Sequence, residues 1–349
     1  MELYIWLPTN LKIFKLFVEN KDYILWWNSK TEKEVANFFM KNFPWEVMEV
    51  LSPQYETNFL AIRKLKSYDK DIFNKIKWIY WGSDNCEYLA PTKKEIEEAY
   101  NLFIESKKKY GIEKFIVVTP YVWEKMYNRL TEGLDFLNSL KVKQQIEIVV
   151  NDYWILDYIE TNCKNLKIIL GKLLHKQLKT PLVDTFWNNA HVSWEKIKNK
   201  DFWTKKELQK VIIENQNKFY NDLESTFSPF QRFIKKHNIS RLTMDLLWWE
   251  RKELYSNKEN YDLHYPFSLI FTGRLCDTSS LEQPERWNYA IDDICPRTCE
   301  RFDIFYKIKT QDYKLIQRWN SWYRIELELD RAKDFFNWKD NRLIFTPFI

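Results

Sequence analysis

The sequence predicts one large α/β domain of irregular TIM-barrel type, with a helical insertion and a C-terminal β extension. Strand-like and helix-like segments alternate through the N-terminal half, as repeated βα units do in a parallel sheet. The runs FIVV at 115–118 and IEIVV at 146–150 are apolar and β-branched, which is typical of strands buried on both faces. The chain of 349 residues is long enough for such a barrel with additions.

The individual elements follow from apolar runs and from helical periodicity. We place strands at 3–7, 23–27, 46–51, 76–81, 114–119, 145–151, 167–170, 240–247 and 266–273. We place helices at 11–18, 32–42, 57–74, 93–110, 123–140, 155–162 and 230–237. This many βα units favours a closed or nearly closed barrel.

Two segments depart from the alternation of strands and helices. Residues 172–227 hold a polar loop and one helical pattern, and we interpret them as an insertion into a barrel-like domain that spans 1–300. The tail, 301–349, contains KLIQRWNSWYRIELEL, which offers two strand-like runs around a turn. We therefore expect a C-terminal β extension outside the barrel.

Composition limits the classes of protein to consider. Apolar residues make up 45% and aromatic residues 17% of the chain, as in a folded globular protein. A net charge of +5, with both signs interspersed, is too small to indicate a nucleic-acid partner by itself. No apolar run is long enough to span a membrane and no secretory signal is visible, so we expect a cytoplasmic protein. In that compartment cysteines serve metal or redox chemistry more often than disulfides.

Glycine and tryptophan occur in unusual numbers. The chain has 5 Gly and 17 Trp, whereas average glycine usage of roughly 7% would give about 24. Four Trp-Asn pairs, at 27–28, 187–188, 287–288 and 319–320, stand where Gly-Asn turns are expected. We interpret many of these tryptophans as UGA codons that the natural host reads as glycine, an alternative genetic code. The other interpretation is a chain that is rich in tryptophan.

Four of the five cysteines follow predicted strand ends or lie in loops. Cys86 follows one predicted strand, Cys276 follows another, and Cys295 and Cys299 lie in the loop beyond it. The carboxyl ends of parallel barrel strands share one face, so these four thiols are predicted to converge there. Cys163 ends a helix on the opposite face and is predicted to be a bystander.

Four converging thiols leave several kinds of site open. Thiolates hold structural zinc or iron–sulfur clusters. Structural zinc sites usually have two closely spaced cysteine pairs, and here only Cys295 and Cys299 have such spacing, which favours a [4Fe-4S] cluster over zinc. The remaining alternative is a set of reduced cysteines that bind nothing, because cysteine is often a small core hydrophobe. The polar loop sequence CPRTCERF argues against a core position.

Several of these segments resemble the collagenase-like peptidase family, in particular its UbiU/UbiV-like branch of ubiquinone-biosynthesis iron–sulfur proteins. The resemblance is carried by GSDNCEYL at 82–89, GRLC at 273–276 and CPRTC at 295–299. NDYWILDYI at 151–159 is similar to the Asn-Asp-x-Gly segment of that family, with tryptophan in the place of glycine. LTMDLLWW at 242–249 resembles another strand end. The resemblance covers most of residues 1–300.

The resemblance implies a function as well as a fold. It implies that Cys86, Cys276, Cys295 and Cys299 bind a [4Fe-4S] cluster in a barrel-like fold that takes part in oxygen-independent hydroxylation or related redox chemistry. The implied substrate is a small aromatic molecule or an RNA base, and the implied partner is a related family member in a hetero-oligomer. The collagenase branch has Gly-Ala-x-Cys where this chain has Gly-Arg-Leu-Cys. A peptidase and a non-catalytic, cluster-bearing subunit stay as alternatives.

The catalytic candidates are polar residues at predicted strand ends. Asn151 and Asp152 end one strand and Asp245 lies near the end of another, so all three are expected at the barrel mouth. Asp152 has the alternative role of capping the helix that follows. Arg274 and Arg297 are expected to place positive charge beside an anionic cluster or substrate, or else to be solvated. No HExxH, G-x-S-x-G or phosphate-binding motif is present.

Overall fold

The computed structural model describes a large part of the chain. The described residues are 2–21, 33–34, 37, 41, 45–140, 146–175, 228–246, 260–273, 276, 278, 295, 297, 299, 304–307, 314–332 and 341–347. The predicted strand at 23–27 and nearly all of the predicted insertion at 172–227 lie outside them, as do three of the four Trp-Asn pairs.

Twelve strands are present within the described residues. They are β1 (Glu2–Leu7), β2 (Ile76–Gly82), β3 (Lys114–Thr119), β4 (Glu147–Val150), β5 (Lys167–Leu170), β6 (Arg241–Asp245), β7 (Tyr261–Tyr265), β8 (Phe267–Thr272), β9 (Ile304–Lys307), β10 (Lys314–Arg318), β11 (Ser321–Ile325) and β12 (Arg342–Phe345). Strands β1 to β7 and β12 form a closed, all-parallel barrel in which sequence neighbours are spatial neighbours. The predicted closed α/β barrel is therefore confirmed.

The barrel is closed by the C-terminal part of the chain. Strand β12 lies between β1 and β7, with Glu2 paired to Arg342 and Phe345 paired to Tyr265. The prediction that 301–349 is an extension outside the barrel therefore has to be corrected for β12. This strand has only four residues, RLIF, and so short an apolar run does not distinguish a barrel strand from an edge strand.

Strands β8 to β11 form a second, antiparallel sheet, which we call the cap sheet, in the order β8-β11-β10-β9. The predicted hairpin is present, because β10 and β11 pair from Leu315 with Arg324 to Arg318 with Ser321. The predicted barrel strand at 266–273 corresponds to β8 and belongs to this sheet. Its place in the barrel is taken by β7, since the chain leaves the barrel at Tyr265.

Six α-helices accompany the strands within the same described residues. They are α1 (Leu11–Glu19), α2 (Trp45–Tyr68), α3 (Lys93–Tyr110), α4 (Glu124–Ser139), α5 (Tyr153–Asn162) and α6 (Ser228–Lys236). Helix α3 begins with a reciprocal capping box between Thr92 and Glu95 and ends at Gly111 in the left-handed conformation. The strand predicted at 46–51 is the beginning of α2, because a short apolar run fits either element and the helical pattern after it continues.

The apolar core has two parts, as expected of a barrel. One part fills the space between the barrel wall and the helices and includes Phe14, Phe17 and Phe103. The other fills the barrel itself and includes Tyr4 and Tyr80. None of the helices described here is long and apolar enough to cross a membrane.

Buried charges close the amino end of the barrel. Arg342 donates hydrogen bonds to both carboxylate oxygens of Glu147, at 2.5 and 3.1 Å. Arg241 donates from Nε to Asp262 at 2.5 Å, and the Tyr80 hydroxyl donates to the same carboxylate. Because these groups compensate one another, the charged end is a structural element, and the opposite end is left for chemistry.

Candidate functional site

The carboxyl end of β2 leads directly to the first candidate ligand. Gly82 has a φ of +132°, and a Cβ at this position would lie 2.2 Å from the backbone oxygen of Val118 on β3. Glycine is therefore required where the chain leaves β2. Four residues later Cys86 is buried, and its backbone N–H donates to Ser83 Oγ at 3.4 Å.

Cys276 follows the cap-sheet strand β8. Its sulfur lies 2.8 Å from Thr278 Oγ1, and its thiol donates to the backbone oxygen of Trp319 at 3.2 Å. Trp319 lies in the turn between β10 and β11. In the same turn, the side-chain amide of Asn320 donates a hydrogen bond to the Tyr121 hydroxyl at 3.1 Å. The cap sheet thus carries Cys276 to the barrel mouth.

The third and fourth candidate ligands are held near Cys86 by one arginine. Arg297 lies between Cys295 and Cys299, and its backbone N–H donates to the Cys295 sulfur at 3.4 Å. Its guanidinium donates to Glu95 at 3.0 Å and to the backbone oxygen of Tyr88 at 3.2 Å. The loop with the closely spaced cysteines is therefore tied to the segment that follows β2.

The four thiols lie at the same end of the barrel. Cys86 and Cys299 belong to one buried cluster, which also contains Trp319. Burial raises the pKa of the Cys86 thiol far above its ordinary value, and the neighbouring thiols of Cys276 and Cys295 raise it further. None of the four forms a disulfide. Among the residues described, however, no three cysteine, histidine or carboxylate side chains are yet close enough together to hold a metal ion.

Cys163 lies apart from these four thiols. It follows α5, at the amino end of the barrel, and its sulfur contacts Asp135 on α4 at 3.7 Å. Burial first, and then the Asp135 carboxylate, raise the pKa of this thiol to about 12. A buried, protonated thiol of this kind is a packing residue, as the sequence predicted.

A buried cation lies in the mouth of the barrel. Lys172, just after β5, has its Nζ 2.9 Å from Asp84 and 3.3 Å from Asp245. The same ammonium lies 5.5 Å from the centre of the Trp6 ring and 5.4 Å from that of Tyr323. Burial alone would lower the pKa of Lys172, but the carboxylates of Asp245 and Asp84 raise it above its ordinary value. Lys172 is therefore held in its charged form between the two carboxylates.

The catalytic candidates have different surroundings. Asp245 binds Lys172 and also accepts a hydrogen bond at 3.0 Å from the backbone N–H of Leu269 in the cap sheet. Asn151 is buried and donates to the backbone oxygen of Thr119 at 2.9 Å. Its side-chain oxygen accepts from the Leu173 N–H at 3.3 Å.

Asp152 has the contacts of a helix cap. Its carboxylate accepts from the backbone N–H groups of Trp154 at 2.7 Å, Ile155 at 3.4 Å and Val122 at 3.1 Å. These contacts are the ones expected from the capping alternative. Arg274 lies outside the described residues.

Sequence reasoning missed Lys172 and Asp84 as members of the mouth. Both follow the last residue of a parallel strand by two positions, β5 and β2 respectively. The rule that selected Asp152 and Asp245, polar residues at strand ends, therefore applies to them as well. The sequence analysis places Lys172 at the start of the insertion, and Asp84 lies only two residues before the candidate ligand Cys86.

The fold and the site define an α/β-barrel protein with an antiparallel cap sheet and a group of thiols at the carboxyl end of the barrel. No protein-family model matches the chain, and neither does any curated protein or solved structure. The resemblance to the collagenase-like peptidase family therefore stays a prediction from the motifs quoted above.

Proposed function

We propose that this protein is an iron–sulfur protein of the collagenase-like peptidase family, in which Cys86, Cys276, Cys295 and Cys299 hold a [4Fe-4S] cluster. It acts in oxygen-independent hydroxylation or related redox chemistry. One observation carries the proposal. Cys86, which follows a barrel strand, lies in one buried cluster with Cys299, which comes from a distant part of the sequence.

The side chains present suit a cluster of this kind. Thiolates are the usual ligands of iron–sulfur clusters, and four of them make a complete set. Burial keeps the Cys86 thiol protonated by raising its pKa, so binding iron there would release a proton. Such a cluster supplies electron transfer when it is bound.

The protein supplies the surroundings that tune a cluster. The backbone N–H of Arg297 already points to the Cys295 sulfur. Leu89 and Ile344 belong to the same buried cluster as Cys86 and Cys299 and help to exclude water from it. Hydrogen bonds to sulfur and exclusion of solvent both affect the reduction potential of iron–sulfur clusters.

Anaerobic purification with iron and sulfide analysis tests the proposal. We expect a brown protein that contains both iron and acid-labile sulfide. The Cys295→Ala variant should lose them, whereas the matched Cys163→Ala variant should retain them, because Cys163 lies at the other end of the barrel. Stoichiometric zinc without sulfide would contradict the cluster and indicate a zinc site.

The two remaining alternatives give different results in the same preparations. Cleavage of casein or gelatin that survives replacement of all four cysteines would identify a peptidase instead. Two of the described histidines already have partners within the fold and so do not favour the peptidase: His175 contacts the Thr243 backbone oxygen at 2.6 Å, and His237 contacts Glu160 at 2.9 Å. A cluster without any redox activity until a related chain is added would indicate a non-catalytic subunit.

A further inference from the structure

The turn between β10 and β11 gives Trp319 a backbone conformation that suits glycine. Its φ is +59°, in the left-handed region. Arg318 pairs with Ser321, so the turn has only two central residues, Trp319 and Asn320. Trp319 has a positive φ and Asn320 does not, a combination found in type II′ turns, whose first central residue is ordinarily glycine. A residue with a Cβ is strained there.

The indole of Trp319 fills the space beside the thiols. The residue is only 3% exposed and packs in one cluster with Cys86 and Cys299. Its ring centre lies 5.8 Å from that of Trp6, on barrel strand β1. The thiol of Cys276 donates to its backbone oxygen. Removing this side chain would therefore open a space within the cluster that contains Cys86 and Cys299.

A small cavity already adjoins this indole. It lies between the barrel mouth and the cap sheet, and its volume is about 10 Å³, room for a single water molecule. It is lined by Trp6, Phe267, Ile316, Arg318, Trp319, Tyr323 and Thr346. Thr346 is 5% exposed, and its hydroxyl has no hydrogen-bond partner within the described part of the chain. A buried hydroxyl in this state is costly unless something binds it.

We propose that residue 319 is glycine in the protein made by its natural host, and that the volume of the Trp319 indole is a binding pocket for a planar aromatic ring with a polar substituent. The proportion of 17 Trp to 5 Gly supports the first half. The aromatic walls, the Thr346 hydroxyl and the nearby pocket support the second half. The relation of this ligand to a redox reaction rests on the proposed function, but its binding does not require iron.

The lining indicates what such a ligand would contact. Its ring would stack against Trp6, as aromatic rings do at offset or edge-to-face geometry. Its polar substituent would exchange a hydrogen bond with Thr346. The guanidinium of Arg318, which lies 5.1 Å from the Phe267 ring centre, adds positive charge to the wall. Planar rings that carry hydrogen-bonding or anionic groups fit these contacts.

The first half is tested on the gene and on the natural protein. We expect the codon for residue 319 to be UGA. Trypsin cleavage after Arg318 and Arg324 releases residues 319–324 as one peptide. From the natural host this peptide should be lighter by at least the mass difference between a tryptophan and a glycine residue, with the glycine located by fragmentation at 319. A UGG codon or an unmodified tryptophan at 319 would overturn the proposal.

The second half is tested by calorimetric titration with indole. Trp319→Gly should bind indole saturably, whereas the chain with Trp319 should not. Trp154→Gly is the matched control, because the side chain of Trp154 is 60% exposed and its removal opens no pocket. Adding Thr346→Val to Trp319→Gly should weaken binding by about three- to tenfold, the usual effect of one lost hydrogen bond. Equal affinity in all these proteins, or no binding by Trp319→Gly, would contradict the pocket.

Two further measurements keep the outcomes distinct. If Trp319→Gly does not fold, Trp319→Ala removes the same ring and is titrated in its place. The titrations are carried out on iron-free protein and repeated with Cys295→Ala. If indole still binds in the Cys295→Ala background, and no anaerobic preparation of the protein contains iron, the cluster is contradicted and the pocket is supported. A brown protein that binds no indole would do the reverse.

Discussion

The ammonium of Lys172 lies 2.9 Å from the carboxylate of Asp84. This ion pair links the ends of β5 and β2 across the mouth of the barrel. Both side chains are only 3% exposed. Asp245 completes the arrangement from β6. One cation thus compensates two carboxylates in the interior, next to the segment that carries Cys86.

Lys172→Met is expected to destabilise the protein by about 3–5 kcal/mol, because it leaves two buried carboxylates without their cation. Urea denaturation measures the change. Lys15→Met is the control, since Lys15 pairs with Glu98 at the surface and should cost less than about 1 kcal/mol. Similar losses in the two variants would show that the charge of Lys172 is not needed inside the barrel.

Acid should weaken the amino end of the barrel through Glu147. Burial alone would raise the pKa of this carboxyl, but the hydrogen bonds and charge of Arg342 outweigh burial, and the pKa is lowered. A carboxyl whose folded pKa is depressed adds stability above its unfolded pKa of about 4.3, and this stability is lost as the pH falls through the folded pKa.

Glu147→Gln is the variant that tests this. It should cost roughly 3 kcal/mol at neutral pH, because Arg342 keeps its buried charge. The loss should shrink as the pH falls below about 4.3, where the unfolded chain takes up the proton, and should vanish below the lower folded pKa, where Glu147 of the folded wild type is protonated too. Denaturation curves across this range measure the effect, and a cost that does not change with pH would argue against it.

Two glycines with positive φ provide a matched pair. Gly82→Ala would place a Cβ 2.2 Å from the Val118 backbone oxygen, whereas Gly111→Ala meets nothing within 4 Å. We expect about 1 kcal/mol of strain from Gly111→Ala and several times more from Gly82→Ala, since only the latter displaces backbone. Thermal unfolding compares them. Equal shifts in Tm would mean that the backbones of β2 and β3 can move apart at Gly82 at little cost, which would contradict the expected difference.

Arg297→Ala should reduce retention of iron more than it reduces stability. The ion pair of Arg297 with Glu95 is partly exposed, so its loss should cost about 1 kcal/mol or less. The same change frees the loop with Cys295 and Cys299 from the segment after β2. Arg129→Ala is the control, because Arg129 binds the same Glu95 carboxylate at 3.3 Å from helix α4 rather than from that loop. Iron analysis during gel filtration measures retention, and equal retention in the two variants would contradict this role.

Parts of the fold could be predicted because parallel barrel strands have a strong local signal. The runs at 114–119 and 167–170 are apolar and flanked by helical patterns, and the structure has strands with these same bounds. The errors have a common physical cause. The segments 46–51 and 342–345 are too short for periodicity to decide between helix and strand, or between barrel and edge.

The position of Cys276 could not be predicted from a barrel alone. The carboxyl ends of all barrel strands meet at one face, but Cys276 follows β8, which belongs to the cap sheet. The cap sheet was not foreseen as the element that carries Cys276 and Trp319 to the mouth. Its strands look like any surface hairpin, and nothing local reveals that Leu269 donates to Asp245.

The position of β12 affects how the protein acquires its shape on the ribosome. Strand β1 emerges early, yet one of its two partners is translated only after the whole cap sheet has followed. Until then the nascent sheet has two unpaired edges, at β1 and β7, and such edges invite pairing with other chains. Completion of the cylinder is thus a late event in synthesis, and the interval before it is when a chaperone would matter most.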